Sequence, residues 1–460
     1  MTDLGNSPAS RDIAHVLHPY SDLAHHTPHI LTQGRGIYVR DDNGKEYIEG
    51  LAGLWCTSFG FGEDELVKAA TRQMQTLPYY HMFASKAHNP SIDLAEKLKD
   101  VAPANFSKVF FANSGSEAND TMVKMVWYYN NAIGRPEKKK IIARLNGYHG
   151  VTVAAGSLTG LPYAQQDFDL PIANIIHTGN PHYYRMSEDG ESEEDFATRM
   201  ARDLEDLIQK EGPETVAAFI AEPVMGAGGV ILPPRTYFQK IQAVLKKYDV
   251  LMVADEVICG FGRTGNWWGS QTYDIKPDIL TCAKALSSAY LPISAIMINE
   301  PMFAAFQQNS EKLGIFGHGF TYSGHPVCAA VALRAIELML ERDLVGHGQA
   351  VSPRFLERLH AFADHELVGD TRGVGLVGAI ELSADKANRT PFDPKLGMAK
   401  KLAAAASDEG LIVRAMPGDA VAFCPPMIIT ESEIDEMFDR FARALDAFTA
   451  QAAAGSAAAE

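Results

Sequence analysis

The sequence predicts an α/β protein in which a large domain carries a mostly parallel sheet between helices and a smaller α+β domain is built from both chain ends. Three observations lead there. From Lys108 to about Ala295, short apolar strands alternate with helices of roughly ten to twenty residues, the rhythm of βαβ units. After Pro326 a long helix leaves this region, and strands and helices then mix without the alternation. Finally, 460 residues with 46% hydrophobic content can bury more than one core.

In chain order, the stretch to about Leu31 reads as irregular and rich in histidine: His15, His18, His25, His26 and His29. No carboxylate or cysteine joins them at a metal-ligand spacing, so no metal is expected and they read as surface or interface histidines. Segment 36–50 reads as a hairpin, IYV and KEYIE flanking a DDNG turn. A glycine-punctuated loop, 51–62, follows and carries Trp55. Helices are expected over 63–76 and 91–102, then a strand over 108–113, a helix over 116–131 and a strand over 140–145. An amphipathic helix over 197–212 precedes a strand over 217–223, and a helix over 236–248 separates it from strands over 250–257 and 278–283. In the last part, 373–382 and 411–416 read as single strands accompanied by two amphipathic helices. Domain boundaries fall near residues 60 and 325, so that 1–60 and 326–460 build the smaller domain around 61–325. The low-complexity tail, 450–460, is expected to fray.

Net charge is −16, and no basic run exceeds Lys138–Lys140, which argues against nucleic-acid and anionic-membrane partners. No run approaches the ~20 apolar residues of a membrane span. Five scattered cysteines without a CxxC pair fit reduced thiols. The first residues lack a basic start followed by an apolar stretch, so no signal peptide and a cytoplasmic location are expected.

In open α/β sheets, ligands bind outside the carboxyl ends of the strands. Five predicted strand ends carry chemistry: 113-NSGSEAN-119, 146-NGYHG-150, Glu222, Asp255 and Lys284. In the first, Ser114, Gly115 and Ser116 open a helix, where backbone N–H groups and hydroxyls suit an anion. It is neither a Walker loop nor GxGxxG, so it does not imply a nucleotide. Asp255 ends a strand of buried character and needs a cation or hydrogen bonds to stay charged. A lysine nearly out of water, flanked by Ala283 and Ala285, becomes a usable amine nucleophile. Tyr148 offers a ring to stack on a flat cofactor, and His149 a group to orient Asp255. Anion cradle, stacking ring, aspartate for a pyridinium and Schiff-base lysine are together what pyridoxal 5′-phosphate requires.

The motifs NSGSEAND (113–120), NGYHG (146–150), AEPVMGAGG (221–229), ADEVICGFGRTG (254–265), CAKALSSAYLPISA (282–295), GFTYSGHP (319–326) and RGVGL (372–376) resemble those of class III, fold-type I pyridoxal-phosphate-dependent aminotransferases. The resemblance runs from the hairpin at Gly36 to the last helix. It implies a seven-stranded sheet and no metal. It also implies that Lys284 binds the cofactor covalently and shuttles protons, that Asp255 pairs with the pyridine nitrogen and that Tyr148 stacks on the ring. Ser114, Gly115 and Ser116 would hold the phosphate, with His149, Glu222 and Ile258 beside the cofactor. Thr321 would reach the phosphate of a neighbouring subunit, which implies a homodimer with interfacial sites and leaves a dimer of dimers open.

Arg414 matches the family's carboxylate-binding arginine, suited to a bidentate fork. Relatives acting on ornithine, acetylornithine or 4-aminobutyrate carry a glutamate that pairs with it, where this chain has Ala227, and several have glutamine where it has Ile258. Those departures, with Tyr20, Leu54, Trp55, Phe83 and Val151 as an apolar wall, resemble the pyruvate-dependent ω-aminotransferases. Lys86 is a candidate partner for an acidic donor tail. The expected activity is amino transfer from a primary amine or ω-amino acid to pyruvate through pyridoxamine phosphate. Transfer to 2-oxoglutarate, or an aminomutase or decarboxylase on the same fold, is the alternative.

Overall fold

The computed structural model describes residues 5–457, with side chains as far as residue 450. Its strands are β1 (Leu31–Arg35), β2 (Tyr38–Asp41), β3 (Glu46–Glu49), β4 (Lys108–Ala112), β5 (Lys140–Arg144), β6 (Ile175–Thr178), β7 (Val216–Ala221), β8 (Leu251–Asp255), β9 (Ile279–Cys282), β10 (Ser294–Ile298), β11 (Val368–Val374), β12 (Val377–Leu382), β13 (Leu411–Ile412), β14 (Arg414–Met416) and β15 (Ala420–Phe423). Seven of them form one sheet in the order β4-β10-β9-β8-β7-β5-β6. β9, β8, β7, β5 and β6 are parallel neighbours. β10 runs antiparallel to both β4 and β9. The carboxyl ends of β4, β5, β7, β8 and β9 therefore share one edge.

Burial on both faces explains the near-continuous apolar strands. Along β7, Ala218 and Ile220 face one cluster with Met122, Val126 and Phe306. The alternating Phe219 and Ala221 face another, with Phe196, Leu204, Tyr237 and Phe238. The first cluster is covered by the helix Gly115–Ala132, which starts where Ser114 Oγ accepts from Glu117 N at 3.2 Å. Glu117 in turn accepts from Asn113 N at 2.7 Å, completing a reciprocal cap.

Two smaller sheets lie outside this layer. In β1-β2-β3-β13, residues 411–412 pair in parallel with 48–49, so the two chain ends meet. The other, β11-β12-β15-β14, comes wholly from the C-terminal part and is antiparallel throughout.

Several expectations need correction. Residues 373–382 belong to a hairpin rather than one strand, turning at Gly375, whose φ is +57° and where a Cβ would lie 2.5 Å from Arg263 O. Residues 411–416 divide at Val413 between two sheets, because the chain pairs first with β3 and then with β15. The N-terminal stretch contains a helix, Pro8–His15, capped by Ser7. β10 and β6 went unforeseen; β10 returns antiparallel beside β9 after residues 283–293, which hold one short 3₁₀ turn and no long helix to announce it. The last helix, Glu431–Ala457, continues through the alanine-rich run instead of fraying at 450, and residues 458–460 lie outside the described residues. No helix among the described residues is long and apolar enough to cross a membrane.

Candidate active site

At the shared strand edge, a cleft with a cavity volume of about 110 Å³ is lined by Gly115, Ser116, Asn119, Tyr148, His149, Gly150, Glu222, Asp255, Val257, Ile258 and Lys284. The lining residues come from strand ends, the turns that follow them and the first turns of the helix Gly115–Ala132.

Asp255 ends β8 and is 2% exposed. Its Oδ2 accepts from Asn119 Nδ2 at 2.8 Å and pairs with His149 Nδ1 at 2.7 Å, and its Oδ1 accepts from Val257 N at 3.1 Å. A carboxylate only accepts, so His149 carries its proton on Nδ1. His149 Nε2 is then left buried without a partner among the described residues. Asn119 is itself fixed: it donates to His149 O at 2.7 Å and accepts from Thr281 Oγ1 at 3.0 Å. Sequence reading passed over Asn119. Its signal was an asparagine on the inward face of an apolar helix, a poor helix former with no local reason to be there.

Glu222 ends β7 and holds the neighbouring loops by their backbones. Its carboxylate accepts from Tyr148 N and Gly226 N, each at 3.0 Å. Burial raises its pKa, and the charge of Asp255 adds to that. Burial likewise raises the Tyr148 hydroxyl, followed by its hydrogen bond with Tyr20.

Lys284 follows β9 with φ at +50°, a left-handed backbone in a residue that carries a Cβ. The extended Ala283 precedes it and a tight turn, Lys284–Ser287, begins with it. A non-glycine held there costs about 1–2 kcal/mol and persists where the surroundings impose it. Ser288 Oγ, accepting from Phe59 N at 3.1 Å, is part of that frame.

At the helix mouth, Gly115 N and Ser116 N have no acceptor among the described residues, which leaves two aligned donors. Space is kept by glycine. A Cβ on Gly150, whose φ is +131°, would lie 2.5 Å from Ser116 Oγ, and one on Gly115 would lie 3.1 Å from Val257 Cγ1. Ser114 is exposed and lies outside the cleft lining, and its hydroxyl accepts from Glu117 N as the helix cap.

Around the entrance, Tyr20 meets Tyr163 edge-on with ring centroids 5.9 Å apart. Arg414 lies close enough to Tyr148 and Tyr163 to oppose the rise of both hydroxyls, yet its guanidinium makes no hydrogen bond or ion pair among the described residues. Trp55 is buried with Ala227 and Ile258, whereas Leu54 and Val151 are exposed. Phe83, Lys86 and Thr321 do not enter this cleft. A Cβ on Gly319 would touch Phe83 Cζ at 3.2 Å, and Tyr79 donates to Thr321 O at 2.9 Å, so the two segments pack together on an exposed surface. Phe83, expected in the apolar wall, and Lys86, expected to meet an acidic donor tail, therefore do not line the cleft of one protomer.

A buried aspartate fixed by two side chains, a lysine at an adjacent strand end and free helix donors across the gap fit pyridoxal 5′-phosphate, and they define a pyridoxal-phosphate-dependent enzyme of fold type I. The family model for aminotransferase class-III matches residues 20–445. The chain is 53% identical over 91% of its length to the mitochondrial gamma aminobutyrate transaminase 1 of Solanum lycopersicum, covering 81% of that protein. It is 52% identical to gamma-aminobutyrate transaminase 1 of Oryza sativa subsp. japonica, with the same two coverages. Among solved structures, the omega transaminase of Pseudomonas jessenii in complex with PMP superposes with a TM-score of 0.96 at 55% identity, covering 97% of this chain and 99% of that one. The chain belongs to the class III aminotransferases, and its cofactor is pyridoxal 5′-phosphate.

Proposed function

We propose that the enzyme moves an amino group from a primary amine or ω-amino acid to pyruvate in two half-reactions. The observation that carries this reading is the Arg414 guanidinium at the cleft entrance, without a partner among the described residues, with Ala227 where a glutamate would neutralise it. A free fork binds one carboxylate in bidentate fashion. The second carboxylate of 2-oxoglutarate would need another cation; among the described residues Lys284 is the only lysine or arginine lining the cleft of one protomer, and a Lys86 brought by a second copy is assigned in this reading to an acidic donor tail. Pyruvate asks for nothing more than Arg414.

The bound cofactor supplies an electron-withdrawing ring that stabilises negative charge on the carbon losing its proton. Asp255, charged and buried, keeps the ring nitrogen protonated through its free carboxylate face. Asn119 and His149 hold that carboxylate in place. Lys284 Nζ takes the proton from the donor carbon and delivers it one position away, which its short reach from the end of β9 permits. Gly115 N and Ser116 N bind the phosphate, Tyr148 stacks on the ring, and Glu222 positions Tyr148 through its backbone. Ile258 and Trp55 exclude water from the far wall.

The homodimer belongs to the same proposal. Tyr79, Tyr80, Phe83 and Tyr322 form an exposed aromatic patch around Thr321, larger than isolated surface residues would make. A second copy covering it would carry Thr321, Phe83 and Lys86 to the partner's cleft.

The test is to load the protein with cofactor, convert it with one amine, remove the amine and then offer single keto acids. Alanine should form from pyruvate at least about tenfold more efficiently than glutamate from 2-oxoglutarate. Preference for 2-oxoglutarate would overturn the acceptor. Release of a decarboxylated or isomerised donor without any keto acid would overturn transamination.

A further inference from the structure

The histidines of the N-terminal stretch have no role in the amino-transfer chemistry set out above, but the structure gives them an organisation the sequence did not. Asp12, on the helix Pro8–His15, lies with its Oδ2 2.6 Å from His18 Nε2. The rings of His18 and His26 have centroids 5.1 Å apart. One ligand atom from each of Asp12, His18 and His26 falls within 4.8 Å of the others. His26 Nε2 is buried without a hydrogen-bond partner among the described residues, although the ring as a whole is only half-buried. A polar atom in that position ordinarily finds a partner. The carboxylate that sequence reading found missing is Asp12, brought in by the turn after the helix.

We propose that Asp12, His18 and His26 form a zinc site that staples the N-terminal helix to the arm carrying Tyr20. Two imidazoles and one carboxylate are a borderline donor set suited to Zn²⁺, with water completing a tetrahedron. Metal–ligand bonds near 2.0–2.1 Å place ligand atoms about 3.3 Å apart. The Asp12–His18 pair therefore opens slightly and His26 closes in, movements that side-chain rotation supplies. Zn²⁺ with one carboxylate is a net cation, favoured on a chain of net charge −16.

Another described cluster, His182, Asp370 and Glu381, has comparable spacing. There Arg185 and Arg372 already pair with Glu381, the latter at 2.6 Å, so a metal would face two guanidinium groups. Among the described residues, no lysine or arginine pairs with Asp12 at the N-terminal site. The effect of zinc there follows from the chain: Tyr20 is two residues beyond His18, has φ at +54°, and touches both Tyr148 and Tyr163. Fixing His18 and His26 restrains the loop that brings Tyr20 to the entrance.

The experiment uses untagged, cofactor-loaded, full-length protein, dialysed against chelator and titrated with ZnCl₂ by calorimetry, with metal analysis of the washed product. One zinc per protomer is expected, with affinity reduced at least about tenfold in His26→Ala and in His18→Ala. His182→Ala should bind as the parent does. Asp12→Asn, which keeps the shape and removes the charge, guards against loss of fold in the alanine variants and should also weaken binding. Zinc should slow proteolysis within residues 16–26 of the parent but not of His26→Ala. No binding by the parent, or binding unchanged in all three ligand variants, overturns the site. Binding without a change in proteolysis overturns the staple.

Discussion

Asp255→Asn tests the electrostatic core of the site with almost no change of shape. The amide oxygen can still accept the hydrogen bonds that Asn119 and His149 now give to Oδ2, at 2.8 and 2.7 Å, while the amide nitrogen gives up the one Oδ1 accepts from Val257 N at 3.1 Å, a single loss the fold should tolerate. What disappears is a negative charge that is 2% exposed, and with it the reason for a ring nitrogen to stay protonated. Stranding one partner of a buried ion pair costs about 3–5 kcal/mol. At about 1.4 kcal/mol per tenfold, that corresponds to roughly 150- to 5,000-fold. The ring nitrogen has an escape, since it can lose its proton, so the loss should lie near the lower end. We expect kcat for the donor half-reaction to fall by about two orders of magnitude, with cofactor still bound and melting temperature nearly unchanged. Stopped-flow absorbance of the cofactor with a single amine, beside a thermal melt, gives both numbers. A loss of less than about tenfold in a variant that retains its cofactor would refute the assignment of Asp255.

Arg414→Ala should raise KM for pyruvate by roughly 10- to 150-fold, the worth of a charge-assisted fork, and leave the half-reaction with an apolar amine within about threefold; equal losses in both halves would contradict its role. Gly150→Ala places a methyl 2.5 Å from Ser116 Oγ at a backbone angle that favours glycine, so cofactor affinity, measured by reconstitution titration, should fall at least about tenfold; unchanged affinity would show that Ser116 does not shape the cradle. Glu49 provides a pH test, because burial pushes its carboxyl from 4.5 up to about 7. A raised folded-state pKa gives stability that is full below 4.5 and lost as pH rises through 7, so Glu49→Gln should gain on the parent by roughly 3 kcal/mol between those limits; urea unfolding at pH 5 and pH 8 showing a constant difference would contradict this.

The sheet and the strand ends were legible because burial on both faces leaves a continuous apolar signature and because a lysine or aspartate closing such a run is conspicuous. Tyr148, Glu222, Asp255 and Lys284 come together for that reason, since five strands ending on one edge bring sequence-distant residues into one cleft. Asn119 was missed because its duty is to Asp255, 136 residues away, and nothing near it in sequence says so. Ser114 is ambiguous in sequence because a helix cap and an anion cradle use the same residue types, and in the structure its hydroxyl accepts from Glu117 N. β10 and the break at Val413 were hidden by tertiary pairing, which overrides what a short apolar run suggests alone. Phe83, Lys86 and Thr321 illustrate another limit. A sequence says that residues belong near a site without saying whose site, and none of the three lines the cleft of its own protomer.

The central claim, that Lys284 is the amine on which the cofactor is carried and protons are moved, is tested most directly by borohydride reduction of the cofactor-loaded protein followed by peptide mass mapping. The account predicts a phosphopyridoxyl group on the peptide containing Lys284 and on no other lysine. A label on a different lysine, or full turnover in Lys284→Ala, would contradict it.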